Sequence, residues 1–384
     1  MTASNDSMEV DVLVVGGGPA GAAAATFLQR RGHRCLIAEK ASFPRYHIGE
    51  SLIPHTFGVM DRLGVLDKLR ESAYPEKYSV RFVPESGSEG SPFYFDETIP
   101  GEGARTWQVE RSSFDVICLS NARDAGVDVR EETRVVKVLF DGDTACGAVL
   151  QGSDGGPQEV RSKVVIDASG RTALLGTQLG LRESVPGLHK ASIWGYFKGG
   201  HRFGGKDAGE TTIYKTAHNG WFWYIPLPDD EVSVGIVGDP EHVLPDGMES
   251  HDAFMAAIDQ CRPLKMRLAE ASLVGRVHVL KELAYLHRQG AGNGWIMIGD
   301  SAAFLDPVYS SGLYLALASA ELAAESIHKG LEIGDVSASV IGAHRPALLA
   351  GVEVIRRLIY AFYDPIFSFG DFAARHPELR AQLI

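Results

Sequence analysis

The sequence predicts an α/β fold: a Rossmann-like dinucleotide-binding domain, a β-sheet domain and a short helical C-terminal region. Three observations carry this. Residues 10–40 read strand, Gly-x-Gly-x-x-Gly, helix, strand, acid. Residues 191–237 are β-rich and read as one antiparallel sheet with polar hairpins. Residues 295–327 read strand, Gly-Asp, loop, long helix. The chain has 384 residues, long for one hydrophobic core, and so suggests two intimately joined domains.

The nucleotide unit comes first. The apolar run at residues 12–15 has the length of a buried strand. Gly16 allows a tight turn, Gly18 lets backbone approach a pyrophosphate, and Gly21 lets the helix pack close to the strand. The helix over residues 20–31 would present its N-terminus, with Ala20, to the phosphates. Glu39 ends the second strand, residues 35–38, where it can accept hydrogen bonds from ribose hydroxyls. Lys40, Arg45 and Ser51 are further candidate cofactor contacts. The loop of residues 42–51 either runs along the dinucleotide, with Arg45 and Glu50 touching it, or is a plain surface loop.

Residues 52–69 read as a helix. Residues 78–84 and 92–97 look like strands around a Gly/Ser-rich turn, with Lys77 at the entry to the first. Residues 106–126 return to a helical pattern with Ser112 or Ser113 as N-cap. Residues 128–154 alternate in β fashion. Residues 163–171 form an apolar strand ending in Asp167-x-x-Gly170, whose tip can approach the cofactor. Residues 251–271 are helical. Asp300, at the end of a strand before small residues, suits a contact to ribityl or phosphate groups. The tail, residues 338–384, is mainly helical.

Composition excludes some classes. A net charge of −12 without a Lys/Arg cluster speaks against nucleic-acid binding. No apolar run approaches the ~20 residues that span a bilayer. The polar N-terminus lacks a signal-peptide pattern, so the cytoplasm is the default address. The four cysteines show no metal or redox spacing, Cys35 and Cys118 reading as buried thiols, and no metal site is expected.

Four segments in this order resemble the FAD-dependent family typified by p-hydroxybenzoate hydroxylase. They are the Gly-rich turn with Glu39, Val-Glu-Arg at residues 109–111, Asp-Ala-Ser-Gly at 167–170, and Ile-Gly-Asp at 298–300 with Pro307 after it. Two more motifs resemble flavin-dependent halogenases. Residues 220–226 fit Gly-Trp-x-Trp-x-Ile-Pro, and residues 304–312 fit Phe-x-x-Pro-x-x-Ser-x-Gly. Lys77 lies where the resemblance puts the essential lysine of those enzymes.

The resemblance implies an FAD domain of the p-hydroxybenzoate hydroxylase type from residues 1–72, 104–180 and 275–330. A substrate-binding sheet domain would span 73–103 and 181–274, and a helical cap 331–384. Gly16, Gly18, Ala20, Gly21, Glu39, Lys40, Arg45, Ser51, Arg111, Asp167, Gly170, Asp300, Pro307 and Gly312 would hold FAD. It also implies the activity: reduced FAD from a separate flavin reductase, oxygen and chloride or bromide yield hypohalous acid. That species reaches Lys77 and halogenates an electron-rich ring in secondary metabolism. Trp221 and Trp223 would keep substrate off the flavin. Ser310 belongs to the same catalytic set, and amides near Ser311 and Gly312 would bind halide.

Each residue has a plainer reading: Lys77 a solvated lysine, the tryptophans core packing, residues 310–312 a helix cap. Their coincidence favours the halogenase. The remaining alternatives are an FAD-dependent monooxygenase on an aromatic or carrier-bound substrate, a redox-silent FAD scaffold, and an isoprenoid reductase, against which residues 220–226 speak. Tyr309 stands where tryptophan halogenases carry a glutamate, which argues for a phenolic or pyrrolic ring. The chain ends about 70 residues after Gly312; a short cap suits a bulky or carrier-protein-tethered substrate.

Overall fold

A computed structural model describes residues 8–88, 90–153, 155–364, 366–367, 372 and 375–376. The start read as leaderless (residues 1–7) and most of the expected cap beyond residue 367 lie outside the described residues.

An eight-stranded sheet is built around the strand Met8–Val15. Its neighbours Gln158–Asp167 and Cys35–Ala38 run parallel to it, and Trp295–Met297 and Asp128–Arg130 extend the parallel set outward. These strands are apolar run after apolar run because helices and a hairpin cover both faces. On one face pack the helices Pro19–Gln29, Arg111–Asp124 and Gly312–Ile333, with Ala22, Ala23, Phe114, Leu317 and Ala320 in their shared core. The other face carries the hairpin of Arg134–Asp141 and Thr144–Gln151.

The helix after the glycines spans Pro19–Gln29, with proline at its first position. Gly21 is required for its docking: a Cβ there would lie 2.0 Å from the Gly16 carbonyl oxygen. Residues 52–69 form two helices instead of one, Thr56–Leu63 and Leu66–Arg70, because Gly64 takes a left-handed turn (φ +79°) between them. The helix beginning at Arg111 has Glu110 at its N-cap position and neither expected serine. Residues 251–271 likewise divide, at Cys261, into Ser250–Gln260 and Arg262–Arg267.

The second sheet has seven strands, in the order Ser272–Leu280, Ala191–Lys198, Glu231–Gly238, Trp221–Pro226, Thr211–Lys215, Ser79–Val83, Phe93–Tyr94. Two features depart from the sequence reading. The strand Ser79–Val83 joins Thr211–Lys215 in parallel. The strand Ser272–Leu280, whose second half was assigned to the nucleotide domain, pairs antiparallel with Ala191–Lys198. Lys77 lies in a separate ribbon, Glu76–Lys77 against Thr106–Trp107. A third small sheet joins Arg182–Ser184, Tyr285–His287 and Ala303–Phe304. The helix Arg345–Tyr363 packs Ile359 and Phe362 into the core that holds Trp221 and Trp223.

Among the described residues no helix is long and apolar enough to cross a membrane, and no cluster could hold a metal. All four cysteines are free, with Cys35, Cys118 and Cys261 buried.

Candidate active site

A single cavity of about 800 Å³ runs from the Gly-rich turn to the paired tryptophans and the helix Arg345–Tyr363. Its walls include Gly16, Gly18, Ala20, Glu39, Lys40, Arg45, Ser51, Arg111, Gly170 and Asp300. They also include Trp221, Trp223, Pro307, Ser310, Ser311 and Gly312. Three expected residues stand elsewhere. Gly21 lies under the wall, packed on Gly16. Asp167 is fully buried and turned inward: one oxygen accepts from the Ser169 amide and hydroxyl, the other from the Leu175 amide. It shapes the turn that brings Ser169 and Gly170 to the cavity. Lys77 sits one layer back, behind Ser51.

At the nucleotide end, Glu39 accepts from the Gly17 amide at 2.7 Å and from the Ala41 amide at 2.8 Å. The carboxylate therefore fixes the glycine turn and the next loop while its edge faces the cavity. Arg111 forms two bonds to Asp115, at 2.7 and 3.0 Å, and donates to the Ile48 carbonyl. Arg45 pairs with Asp115 at 3.2 Å. One buried carboxylate thus holds both arginines at the cavity, together with the loop between residues 45 and 49. Asp300 lies deep in the wall, where burial raises its carboxyl to about 6 against the pull of Arg111 and Arg171.

These residues fit a bound FAD. Two helix N-termini, at Pro19 and Gly312, open on the cavity and favour anions. At Gly312 an added Cβ would meet nothing within 4 Å, so that backbone faces open space. A Cβ added at Gly18 would meet only the Arg45 guanidinium, at 3.3 Å. A carboxylate stands at the end of the second strand and another in the mid-wall. The same helix start carries Ser310, left-handed at φ +53°, and Ser311, whose side chain makes no capping hydrogen bond.

At the far end, Trp221 and Trp223 lie with ring centroids 6.0 Å apart, both on the cavity wall. Trp221 donates to the Tyr363 hydroxyl at 2.9 Å, and Trp223 to the Ser233 hydroxyl at 3.1 Å. Tyr363 in turn donates to Asp306 at 2.8 Å. Burial raises Asp306 to about 6, and its other oxygen caps the short turn Pro307–Tyr309 through the Val308 amide. Tyr309 donates to the Leu358 carbonyl and so fastens the helix Arg345–Tyr363.

The Lys77 ammonium is buried and donates to the Ser51 hydroxyl at 2.8 Å and the Leu52 carbonyl at 3.0 Å. Ser51 reaches Thr211 at 3.0 Å, and both residues line the cavity. Burial lowers Lys77 to about 7, and among the described residues no charged neighbour counters it.

Sequence reasoning missed several wall residues: Tyr46, Trp194, Arg171, Leu348 and Val352. It also missed Tyr363. The tail around residue 363 reads only as helical, and nothing in its spacing points at Trp221.

A cavity that opens on a Gly-rich turn and a strand-end acid and runs to a second sheet is that of a dinucleotide-dependent enzyme, and the family it matches makes the dinucleotide FAD. Residues 9–229 match the FAD binding domain family. The 1H-pyrrole-2-carbonyl-(peptidyl-carrier protein) chlorinase of Pseudomonas fluorescens is 29% identical, over 98% of this chain and 88% of that one. The corresponding brominase of Pseudoalteromonas luteoviolacea is 30% identical, over 97% and 90%. The solved structure of a flavin-dependent brominase superposes with a TM-score of 0.89 at 30% identity, covering 98% of this chain and 92% of that one. This chain belongs to the flavin-dependent halogenases, FAD enzymes of the p-hydroxybenzoate hydroxylase-like fold.

Proposed function

We propose that this enzyme halogenates a pyrrolic ring held on a carrier protein, with Lys77 as the residue that handles the halogenating species. The observation that carries the role of Lys77 is its burial behind the cavity-lining Ser51, with no counter-ion among the described residues. Near neutral pH the amine exists in both forms, as a hydrogen-bond donor and as a nucleophile. The carrier-bound pyrrole is supported by relatives that carry that substrate in their names. Tyr309 in place of an acid is consistent with it.

Bound in reduced form, FAD supplies the electrons with which oxygen and halide give hypohalous acid. The chain's own groups do the rest. Glu39, Arg45, Arg111 and Asp300 orient the dinucleotide. The open helix start at Ser311 and Gly312 attracts halide. Trp221 and Trp223 narrow the passage between flavin and ring. Ser51 and Thr211 hand the oxidised halogen to Lys77. The reading includes a separate flavin reductase and a cytoplasmic address. It also divides the chain into an FAD domain, a sheet domain that takes in residues 272–280, and a helical cap, supported by the strands that each sheet draws on.

The test supplies reduced FAD, oxygen and bromide or chloride with a pyrrole-2-carbonyl carrier protein, and free phenols in parallel. A halogen isotope pattern on the carrier-bound ring is expected. Lys77→Ala should abolish it while FAD affinity stays unchanged. Halogenation of free phenols alone would replace the substrate assignment, and an active Lys77→Ala would remove the lysine from the mechanism.

A further inference from the structure

We propose that Arg345 is an anion site at the mouth of the cavity, which takes the phosphate of the phosphopantetheine arm on which a carrier protein holds its substrate. The inference rests on the carrier-bound reading above. Arg345 opens the helix Arg345–Tyr363 and lines the cavity. Leu349, one turn on, lines it too and is 48% exposed. Pro346, Ala347 and Ala350 around it are exposed as well, so the cavity opens to solvent along this turn.

The guanidinium is seated but unpaired. It is half-buried and lies so close to the backbone of Gly290 that any side chain there would run into it. A Cβ added at Gly342 would touch the arginine's Cδ at 3.6 Å, so two glycines form its slot. Among the described residues the side chain has no hydrogen bond or ion pair. Burial lowers its guanidinium, and no carboxylate pulls it back up. The group stays charged even so, and its fork fits a phosphate through two parallel N–H bonds. The cavity-lining residues that follow on the same helix, Leu348, Leu349 and Val352, are apolar.

Position separates this anion from those of the cofactor. Gly290 precedes the edge strand Ala291–Gly292, and the sheet runs from there through Trp295–Met297 and Gln158–Asp167 to Met8–Val15. Three strand spacings put the Gly-rich turn about 14 Å away, and Glu39 follows the strand beyond it. The dinucleotide phosphates belong to that turn, which leaves Arg345 for another anion. Length favours the arm. From its phosphorus to the ring carbon of a pyrrole thioester it has about 15 bonds, which span about 17 Å when extended. At about 1.5 Å per residue that equals about eleven residues of helix, and so ends level with Arg356. Ile359, one turn on, packs in the core that holds Trp221 and Trp223. A phosphate held at Arg345 therefore sets the ring down beside the paired tryptophans.

The test offers the FAD-loaded enzyme two ligands: the pyrrole-2-carbonyl thioester of phosphopantetheine and that of pantetheine, which lacks only the phosphate. Calorimetry should show the phosphorylated arm binding about tenfold tighter. In Arg345→Gln that difference should disappear, with FAD affinity unchanged. Arg345→Lys, which keeps the charge and loses the fork, should restore part of it. Equal affinities in the wild-type chain, or no measurable binding of either arm, overturn the site without recourse to a variant. So does a difference that survives Arg345→Gln. A variant whose defect is a raised KM for bromide, with both arms treated alike, gives the arginine to halide and overturns the proposal too. The two readings fail separately. A chain that binds and halogenates both thioesters equally keeps the pyrrole reading and loses the arginine. One that binds the phosphorylated arm through Arg345 yet halogenates no pyrrole keeps the site and loses that reading.

Discussion

At the scale of single residues, two charged side chains carry opposite lessons. The place of Glu39 was legible in the sequence because an acid at the end of the second strand has few uses in a βαβ unit. The two backbone amides that it also holds were not legible, since they depend on where the turn folds back. Glu39→Ala should therefore weaken FAD binding at least tenfold, from lost charge-assisted bonds of about 1.5–3 kcal/mol each. A flavin fluorescence titration reads this directly, and an unchanged affinity would separate the acid from the cofactor. Lys77 was singled out only through its resemblance to a motif; a lysine in a two-residue strand otherwise reads as solvated. Its buried amine is lowered from 10.5 to about 7, so the folded state binds fewer protons than the unfolded one between those values. The penalty of burying this group is full below pH 7 and fades as pH rises toward 10.5. Replacing it with methionine should stabilise the protein most at pH 7 and below, and progressively less above. Denaturant melts of Lys77→Met across that range should show the gain shrinking with pH.

At the scale of elements, the first strand and helix were legible to within a few residues, because apolar runs and glycines act locally. The breaks at Gly64 and Cys261 were not, since apolar spacing continues across both. Docking of the first helix depends on one missing methyl group. Gly21→Ala would force a Cβ to 2.0 Å from the Gly16 oxygen, and neither backbone can yield cheaply. We expect a cost of about 1–3 kcal/mol with FAD binding lost, measured by denaturant melts and flavin titration together. In the helix Arg345–Tyr363 the decisive residue is Tyr363, which touches both halogenase motifs through Trp221 and Asp306. Tyr363→Phe strips a buried carboxyl and a buried indole of their shared partner. It should cost about 1–3 kcal/mol and lower halogenation with FAD affinity intact. Equal loss of FAD binding would show that the contact serves the cofactor rather than the tryptophans.

At the scale of the whole molecule, two sheets and a helix share one cavity, so the cofactor bears on all three. The sequence announced the two sheets through their different periodicities. It could not show that residues 272–280 cross to the second sheet, because pairing partners lie about 80 residues away. FAD at a hundred times its dissociation constant should add about 2.7 kcal/mol. For a chain of this length that is a rise of about 3 °C in the melting temperature. Calorimetry should show one transition shifting as a unit, and a shift confined to one of two transitions would mean the sheets melt independently. The bond from Tyr363 also limits how such enzymes can be recombined. A cap helix transplanted from a relative to change the accepted ring carries, or lacks, the hydroxyl that squares Trp221 with the Asp306 turn. Graft boundaries drawn at the start of that helix therefore divide one mechanical part in two. Productive chimeras should be those that move residues 304–312 and the tyrosine together.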